Sequence, residues 1–321
     1  MKARLAIVTP GLPQANAGNW RTAIRWRRML VRDYAVSLHG PNDEVPPAID
    51  LLIALHARRS AAAIRRFRSR RPSGGLILAL TGTDVYRDIH IDEMAAHSLD
   101  LADRLIVLQP AALAELKPMW RARASVIYQS APSITPGPRY RTRFDVVQIG
   151  HLRPEKDPFT PITALRFLPA ASRIQLTQIG RAMDEECARL MEIVAREEPR
   201  LRWLGMLPHA RARQRLKRAH LMVLASRMEG GAHVIIEAIT SGVPVIASRV
   251  SGNIGMLGED YAGYFTLGDA EDCARLMYRA ETDPAFLARL ERQCERRRPL
   301  FDPEREARAL RDLVAAVLAA G

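Results

Sequence analysis

Cysteine is scarce: three in 321 residues, Cys187, Cys273 and Cys294, all on helical patterns and none with metal-ligand spacing. A disulfide-stapled secreted domain and a cysteine zinc site are thereby excluded, and the sequence reads as a reduced, cytoplasmic chain. Long apolar runs are missing as well; none approaches the ~20 residues of a membrane-crossing helix, so the chain reads as soluble, with no membrane partner. Met1-Lys-Ala-Arg-Leu-Ala-Ile-Val-Thr9 reads as a first strand and not a signal peptide, because its apolar core is short and Pro10-Gly11 follows at once. No G-x-G-x-x-G follows that strand, and no acidic residue ends the next (Tyr34 to Leu38), which argues against a dinucleotide site. No D-x-D pair occurs anywhere, so no metal and no cofactor are expected. A basic tail, a zinc finger and an aromatic RNA-binding signature are absent too.

Arginine is what the chain has in plenty. The formal charge of +13 favours anionic partners: nucleic acid, a membrane surface or phosphorylated small molecules. The excess is dispersed along helices, as in Arg65 and Arg66, in Arg211, Arg213 and Arg215, and in Arg296 to Arg298. Short apolar runs alternate with helical patterns throughout, which implies parallel sheets with crossover helices. Leu5 to Val8 is the first strand. A loop rich in Gly, Pro and Asn (Thr9 to Asn19) then opens a helix near Trp20, with Ala23, Ile24, Met29 and Leu30 as its buried stripe. Strands follow at Asp50–Leu55, Leu76–Leu80, Leu105–Leu108 and Ser125–Tyr128. Ala131 to Arg143 opens with three prolines and a glycine in eight residues and reads as an interdomain linker. The alternation then restarts with Phe144–Ile149, Ile174–Gln178, Leu201–Leu204 and Leu221–Ala225. A last helix from Pro303 is amphipathic through Ala307, Leu310, Val314, Val317 and Leu318. The fold class predicted is α/β, two Rossmann-like doubly wound domains facing a central cleft. Residues 1–135 form the first and 136–300 the second, with helix 303–320 crossing back to the first.

Polar residues collect directly behind the strands, where open α/β sheets bind ligands. After Leu221–Ala225 a Gly-Gly turn leads into a helix (Val234 to Ser241), a Gly242 stop and a strand from Val243 to Ala247. Glu229 lies in the turn and Glu237 about one helical turn inside the helix, so both can face the crevice. Backbone N–H groups from Gly231 to Val234 suit a phosphate or a polarised hydroxyl, and Gly18 and Asn19 stand in the same position at the first helix. His56, Arg58 and Arg59 end the second apolar run; a ligand site and a helix-start surface cluster are both open there. Thr81-Gly-Thr-Asp-Val-Tyr-Arg-Asp88 follows the third in the same way.

In combination, Gly150-x-Leu152-x-x-x-Lys156, the pair Glu229 and Glu237 spaced E-x7-E, and Glu237-Ala-x-x-x-Gly-x-Pro-Val245 form a pattern. The second half resembles the retaining family 4 nucleotide-sugar glycosyltransferases of the GT-B fold. The resemblance implies that Glu237 binds the nucleotide ribose, Glu229 the donor-sugar hydroxyls and Lys156 the diphosphate. His151 stands where that family has an Arg, and Arg153 is displaced by two, so either can meet phosphate. Gly150, Gly180, Met206, Gly230, Gly231, Ala232, His233 and Val234 complete the donor site, with Gly18 and Asn19. Ala232 ends an E-G-G-A in place of the usual E-G-F-G.

Gly18-Asn-Trp-Arg-Thr-Ala23, Ala54-Leu-His-Ala-Arg-Arg-Ser60, Thr81 to Ile89, Val126-Ile-Tyr-Gln-Ser-Ala-Pro132 and Arg227 to Ala232 carry a narrower likeness. Together they resemble the selenosugar synthases of selenoneine biosynthesis. That likeness implies transfer from UDP-N-acetylglucosamine to selenophosphate, making a 1-seleno sugar. It also implies pathway coupling to the enzyme that joins the sugar to a histidine derivative. Arg58, Arg59, Arg87, Arg21 and Thr83 then bind the acceptor, since guanidinium forks suit an oxyanion. His56, His151 and Asp84 join Lys156 as catalytic candidates, and no residue is expected to bind a metal. Two other readings stay open: transfer to an ordinary sugar or lipid hydroxyl, and a basic nucleic-acid-binding protein.

Overall fold

The computed structural model describes residues 2–11 and 18–320. The middle of the predicted Thr9–Asn19 loop, residues 12–17, lies outside them. The chain divides into two compact units, Met1–Ser130 with Asp302–Gly321, and Ala131–Phe301.

The first unit holds six parallel strands: β1 Arg4–Val8, β2 Ala35–His39, β3 Leu51–Leu55, β4 Gly75–Leu80, β5 Arg104–Val107 and β6 Ala124–Val126. Their order is β2-β1-β3-β4-β5-β6, so the chain reverses direction across the sheet between β1 and β3. Covered on both faces, β3 and β4 are buried along their whole length, which is why they read as unbroken apolar runs. Side chains alternate between the faces. Ala6, Val8, Leu52 and Ala54 pack with α2 (Ala61–Arg70) and α4 (Glu93–Leu101), behind the single turn α3 (Ile89–Ile91). Leu5, Ile7, Leu51 and Ile53 pack with α1 (Gly18–Leu30) and with Leu310, Val314 and Val317 of the C-terminal helix Pro303–Ala320. A short α5 (Pro118–Arg121) precedes β6.

Two helical stripes differ from expectation. On α1 the buried residues are Thr22, Ala23, Trp26 and Leu30, while Ile24 and Met29 are only half-buried. The stripe runs through Trp26 because its Nε1 donates to Glu306 at 2.7 Å. On the C-terminal helix Glu306 takes the buried place and Leu318 is half-buried. Glu306 accepts from Arg25 Nε (2.9 Å), Trp26 Nε1 and Ser130 Oγ (2.5 Å), so its burial is matched by charge-assisted bonds.

The second unit repeats the plan with β7 Phe144–Ile149, β8 Ile174–Ile179, β9 Leu201–Trp203, β10 Leu221–Leu224, β11 Val245–Ser248 and β12 Tyr264–Phe265. All pairings are parallel, in the order β12-β11-β10-β7-β8-β9, with the reversal between β7 and β10. The helices are α6 (Phe159–Ala164), α7 (Glu185–Glu197), α8 (His209–Leu216), α9 (His233–Ile239) and α10 (Ser251–Leu257), which cross between strands, and α11 (Ala270–Thr282) and α12 (Pro284–Arg297), which follow the last strand. Aspartates cap three of them: Asp184, Asp269 and Asp283 accept from backbone N–H groups in the first turn.

The proline-rich stretch is not a free linker. The units divide after Ser130, five residues before the expected boundary, and the stretch that follows is strapped onto the second unit. Ile134 N donates to Thr240 O (2.9 Å), Gly137 N to Lys217 O (2.8 Å), and Arg139 bridges Gly242 O and Glu291. Among the described residues no helix is long and apolar enough to cross a membrane.

Candidate functional site

In the second unit the candidate residues gather behind β7, β8 and β10, beside the point where strand order reverses. Gly180 follows β8 and lies against the loop after β7. A Cβ there would lie 1.8 Å from Gly150 O, so only glycine lets the two loops touch. Gln178 Nε2 holds the same carbonyl at 2.8 Å, and Gly180 N donates to Gly205 O at 2.8 Å. His151 Nδ1 accepts from Arg181 N at 3.3 Å, Arg153 is exposed, and Met206 is exposed in the loop behind β9.

A 3₁₀ turn, Pro154–Lys156, then ends at Asp157, a non-glycine residue in the left-handed region (φ 43°). This turn aims Lys156 at the loop after β10. Its Nζ reaches Glu229 Oε1 at 2.5 Å, and Ser226 Oγ donates to the same oxygen at 2.6 Å. The two loops are tied again where Arg227 N donates to Glu155 O and where Arg227 pairs with Asp157 at 3.1 Å. Gly252 lets α10 press on this turn, since a Cβ there would meet Glu229 O at 1.8 Å. Gly230 and Ala232 are buried, and Gly231, His233 and Val234 half-buried, at the entry to α9.

Glu237 sits one turn into α9 and is nearly buried. Its Oε1 meets His209 Nε2 at 2.5 Å and His233 Nδ1 at 3.3 Å. Burial pushes the carboxyl up, but the hydrogen bonds and charges of His209 and His233 outweigh it and hold Glu237 below the ordinary carboxylate range. Sequence reasoning missed His209, Ser226 and Arg213. Arg213, one of the arginines dispersed along helices, is buried, with Nη2 bonded to Thr240 Oγ1, Ser241 Oγ and Pro132 O. The available signal was the spacing of His209 and Arg213, four apart on one helix face.

In the first unit a second cluster forms behind β3 and β4. His56 is buried in the left-handed region (φ 73°), with Nε2 3.1 Å from Thr83 Oγ1 and 3.8 Å from Asp88. Burial lowers its pKa, against the opposing pull of Asp84. Arg58 Nε and Arg87 Nε lie 3.1 and 3.0 Å from the two oxygens of Asp88, a residue to which the sequence pattern gave no role. Both guanidinium groups are nearly half-exposed while Asp88 is buried, so the acid holds the two cations at the surface. Arg59 is exposed beside them, and Arg21, Gly18 and Asn19 lie on the first turn of α1.

Asp84, a catalytic candidate from the sequence, ties loops together. It is fully buried and accepts from the backbone N–H groups of Ala57 (3.1 Å), Thr81 (2.9 Å) and Gly82 (2.7 Å). Its carboxylate staples the loops behind β3 and β4.

Residues 134–297, a little over half of the chain, match the family described as "Glycosyl transferases group 1". The chain belongs to the group 1 glycosyl transferases. Its fold is the GT-B fold of solved neighbours. HepE of Anabaena in complex with UDP is 15% identical, with a TM-score of 0.77 over 98% of this chain and 100% of that one. Sucrose-phosphate synthase of Thermosynechococcus elongatus is 18% identical, with a TM-score of 0.81 over the whole of both chains. The pneumococcal O-GlcNAc transferase GtfA, in complex with UDP and GlcNAc, is 17% identical, with a TM-score of 0.66 over 84% of this chain and 57% of that one. At these identities the likeness carries the fold. No curated protein matches the sequence.

Proposed function

We propose that this group 1 glycosyl transferase takes its sugar from UDP-N-acetylglucosamine and passes it to selenophosphate. The products are 1-seleno-N-acetylglucosamine, UDP and phosphate. The observation that carries the donor half is the pairing of both motif glutamates with basic groups at the strand-order reversal: Glu229 with Lys156, and Glu237 with two histidines. In this reading Glu237 takes the ribose and Glu229 the sugar hydroxyls. Lys156 turns to the diphosphate, joined by Arg153 or His151. HepE and GtfA, which share the fold, were solved with UDP bound.

Selenium attacks the anomeric carbon as the bond to the UDP oxygen breaks. Charge develops on the leaving diphosphate, and Lys156 stabilises it electrostatically. With no D-x-D pair in the chain, basic side chains supply this counter-charge and no metal is required. Water then cleaves the Se–P bond and phosphate departs. Selenophosphate is already an anionic nucleophile and needs cationic placement more than a general base. Arg58 and Arg87, held outward by Asp88 with Thr83 and Arg59 nearby, are suited to that.

A second reading has its own support: the charge of Arg58 and Arg87 is already partly met by Asp88, which suits a neutral sugar or lipid hydroxyl. Incubation with UDP-N-acetylglucosamine and either selenophosphate or simple alcohols, following UDP release, separates the two. UDP formed only with selenophosphate supports the first reading; UDP formed only with alcohols rejects it.

A further inference from the structure

His209 lies outside the motifs of the family and outside every candidate drawn from the sequence. It is the first residue of α8, and it is joined to Glu237 across 28 positions of chain at 2.5 Å. Arg213, one turn on, fastens the same helix face to Thr240 and Ser241 at the end of α9. The loop that leads into α8 is anchored at its start as well, where Gly205 O accepts from Gly180 N. A contact within α9, from His233 to Glu237, is local and follows from helical spacing. The contact from His209 is different in kind. It ties the α8 side of the site to the carboxylate and, with His233, gives Oε1 two donors from two helices.

A hydrogen bond to a carboxylate weakens steeply when its angle falls away from linear. A carboxylate gripped from two sides presents its oxygens in one orientation, and a vicinal diol is read by that orientation. We propose that His209 is a positioning residue that sets the plane of Glu237, making the site selective for ribonucleoside over 2′-deoxyribonucleoside diphosphates. The inference rests on the donor reading given above. A site built to bond a hydroxyl rejects the analogue that lacks it, because the buried polar group is left under-satisfied. Loss of His209 removes the Oε1 donor that comes from another helix, and the discrimination relaxes. Since the side chain is 42% exposed, the substitution leaves the core of the unit untouched.

Calorimetric titration of the full chain with UDP, 2′-deoxy-UDP and inorganic pyrophosphate tests this. The native chain is expected to prefer UDP over the deoxy form by on the order of tenfold or more, the worth of one bond to a charged group. In His209→Ala the ratio falls to within a few-fold, pyrophosphate affinity is unchanged, and the donor KM rises with little change in kcat. His209→Gln, which keeps a donor, restores part of the ratio. An unaltered ratio in His209→Ala, or a parallel fall for pyrophosphate, overturns the inference. Failure of the native chain to bind UDP at all overturns the donor reading itself, and this inference with it.

Discussion

The two units place charge behind their strands in opposite ways. In the second, the acids are the candidate ligands and the bases hold them: Lys156 grips Glu229, and His209 grips Glu237. In the first, the acids are the supports. Asp84 is spent on three backbone N–H groups, and Asp88 carries Arg58 and Arg87 at the surface. The same pair of residue types thus has reversed roles, although the carboxylate is the more buried partner in both units. A carboxylate deep in a loop costs too much to leave unpaired, so it becomes architecture. Asp84 meets backbone N–H groups fixed by the loops, whereas Glu229 and Glu237 are held by side chains that are themselves partly exposed.

The sharpest way to break this comparison is to alter one base in the second unit. Lys156→Gln keeps a donor for Glu229 but removes the charge. Transfer is expected to slow by roughly 10- to 200-fold, the worth of one charge-assisted bond, with little change in melting temperature. Altering one acid in the first unit should do the reverse. Asp84→Asn sets an amide against three backbone donors and is expected to cost about 1–3 kcal/mol of stability in denaturant titration, with UDP affinity preserved. The smallest effect is that of pH. Burial lowers the pKa of His56 from its ordinary value of 6.5, so the unfolded chain takes the proton more readily. Its contribution to stability is complete above pH 6.5 and is lost as pH falls below it. His56→Asn, which tolerates the left-handed backbone, should flatten that slope.

Most of the fold was legible because parallel strands covered on both faces leave unbroken apolar runs. Phe144–Ile149 is read to the residue, and Leu51–Leu55 to within one. Two-residue β12 is too short to leave a pattern. Trp26 escaped because a tryptophan among arginines reads as surface until Glu306, 280 residues away, supplies its acceptor. The juxtaposition of Glu229 and Glu237 behind β10 was legible from spacing within one βαβ unit. His209, Asp88 and the staple role of Asp84 were not, since each depends on loops that meet only after the sheet has formed. Arg213 shows the limit of composition: among many arginines, only its spacing of four from His209 marks the one that Thr240 and Ser241 hold.

One carboxylate has a consequence for the order in which the molecule is made. Glu306 joins Arg25, Trp26 and Ser130, while Leu310, Val314 and Val317 cover one face of the first sheet. Emerging from the ribosome, residues 1–130 therefore lack their cover until the whole second unit has followed. At ~5–20 residues per second that is a wait on the order of ten to thirty seconds. By its end the second unit, continuous in sequence, has all its own parts at hand. The half that is translated first is thus the half that is finished last.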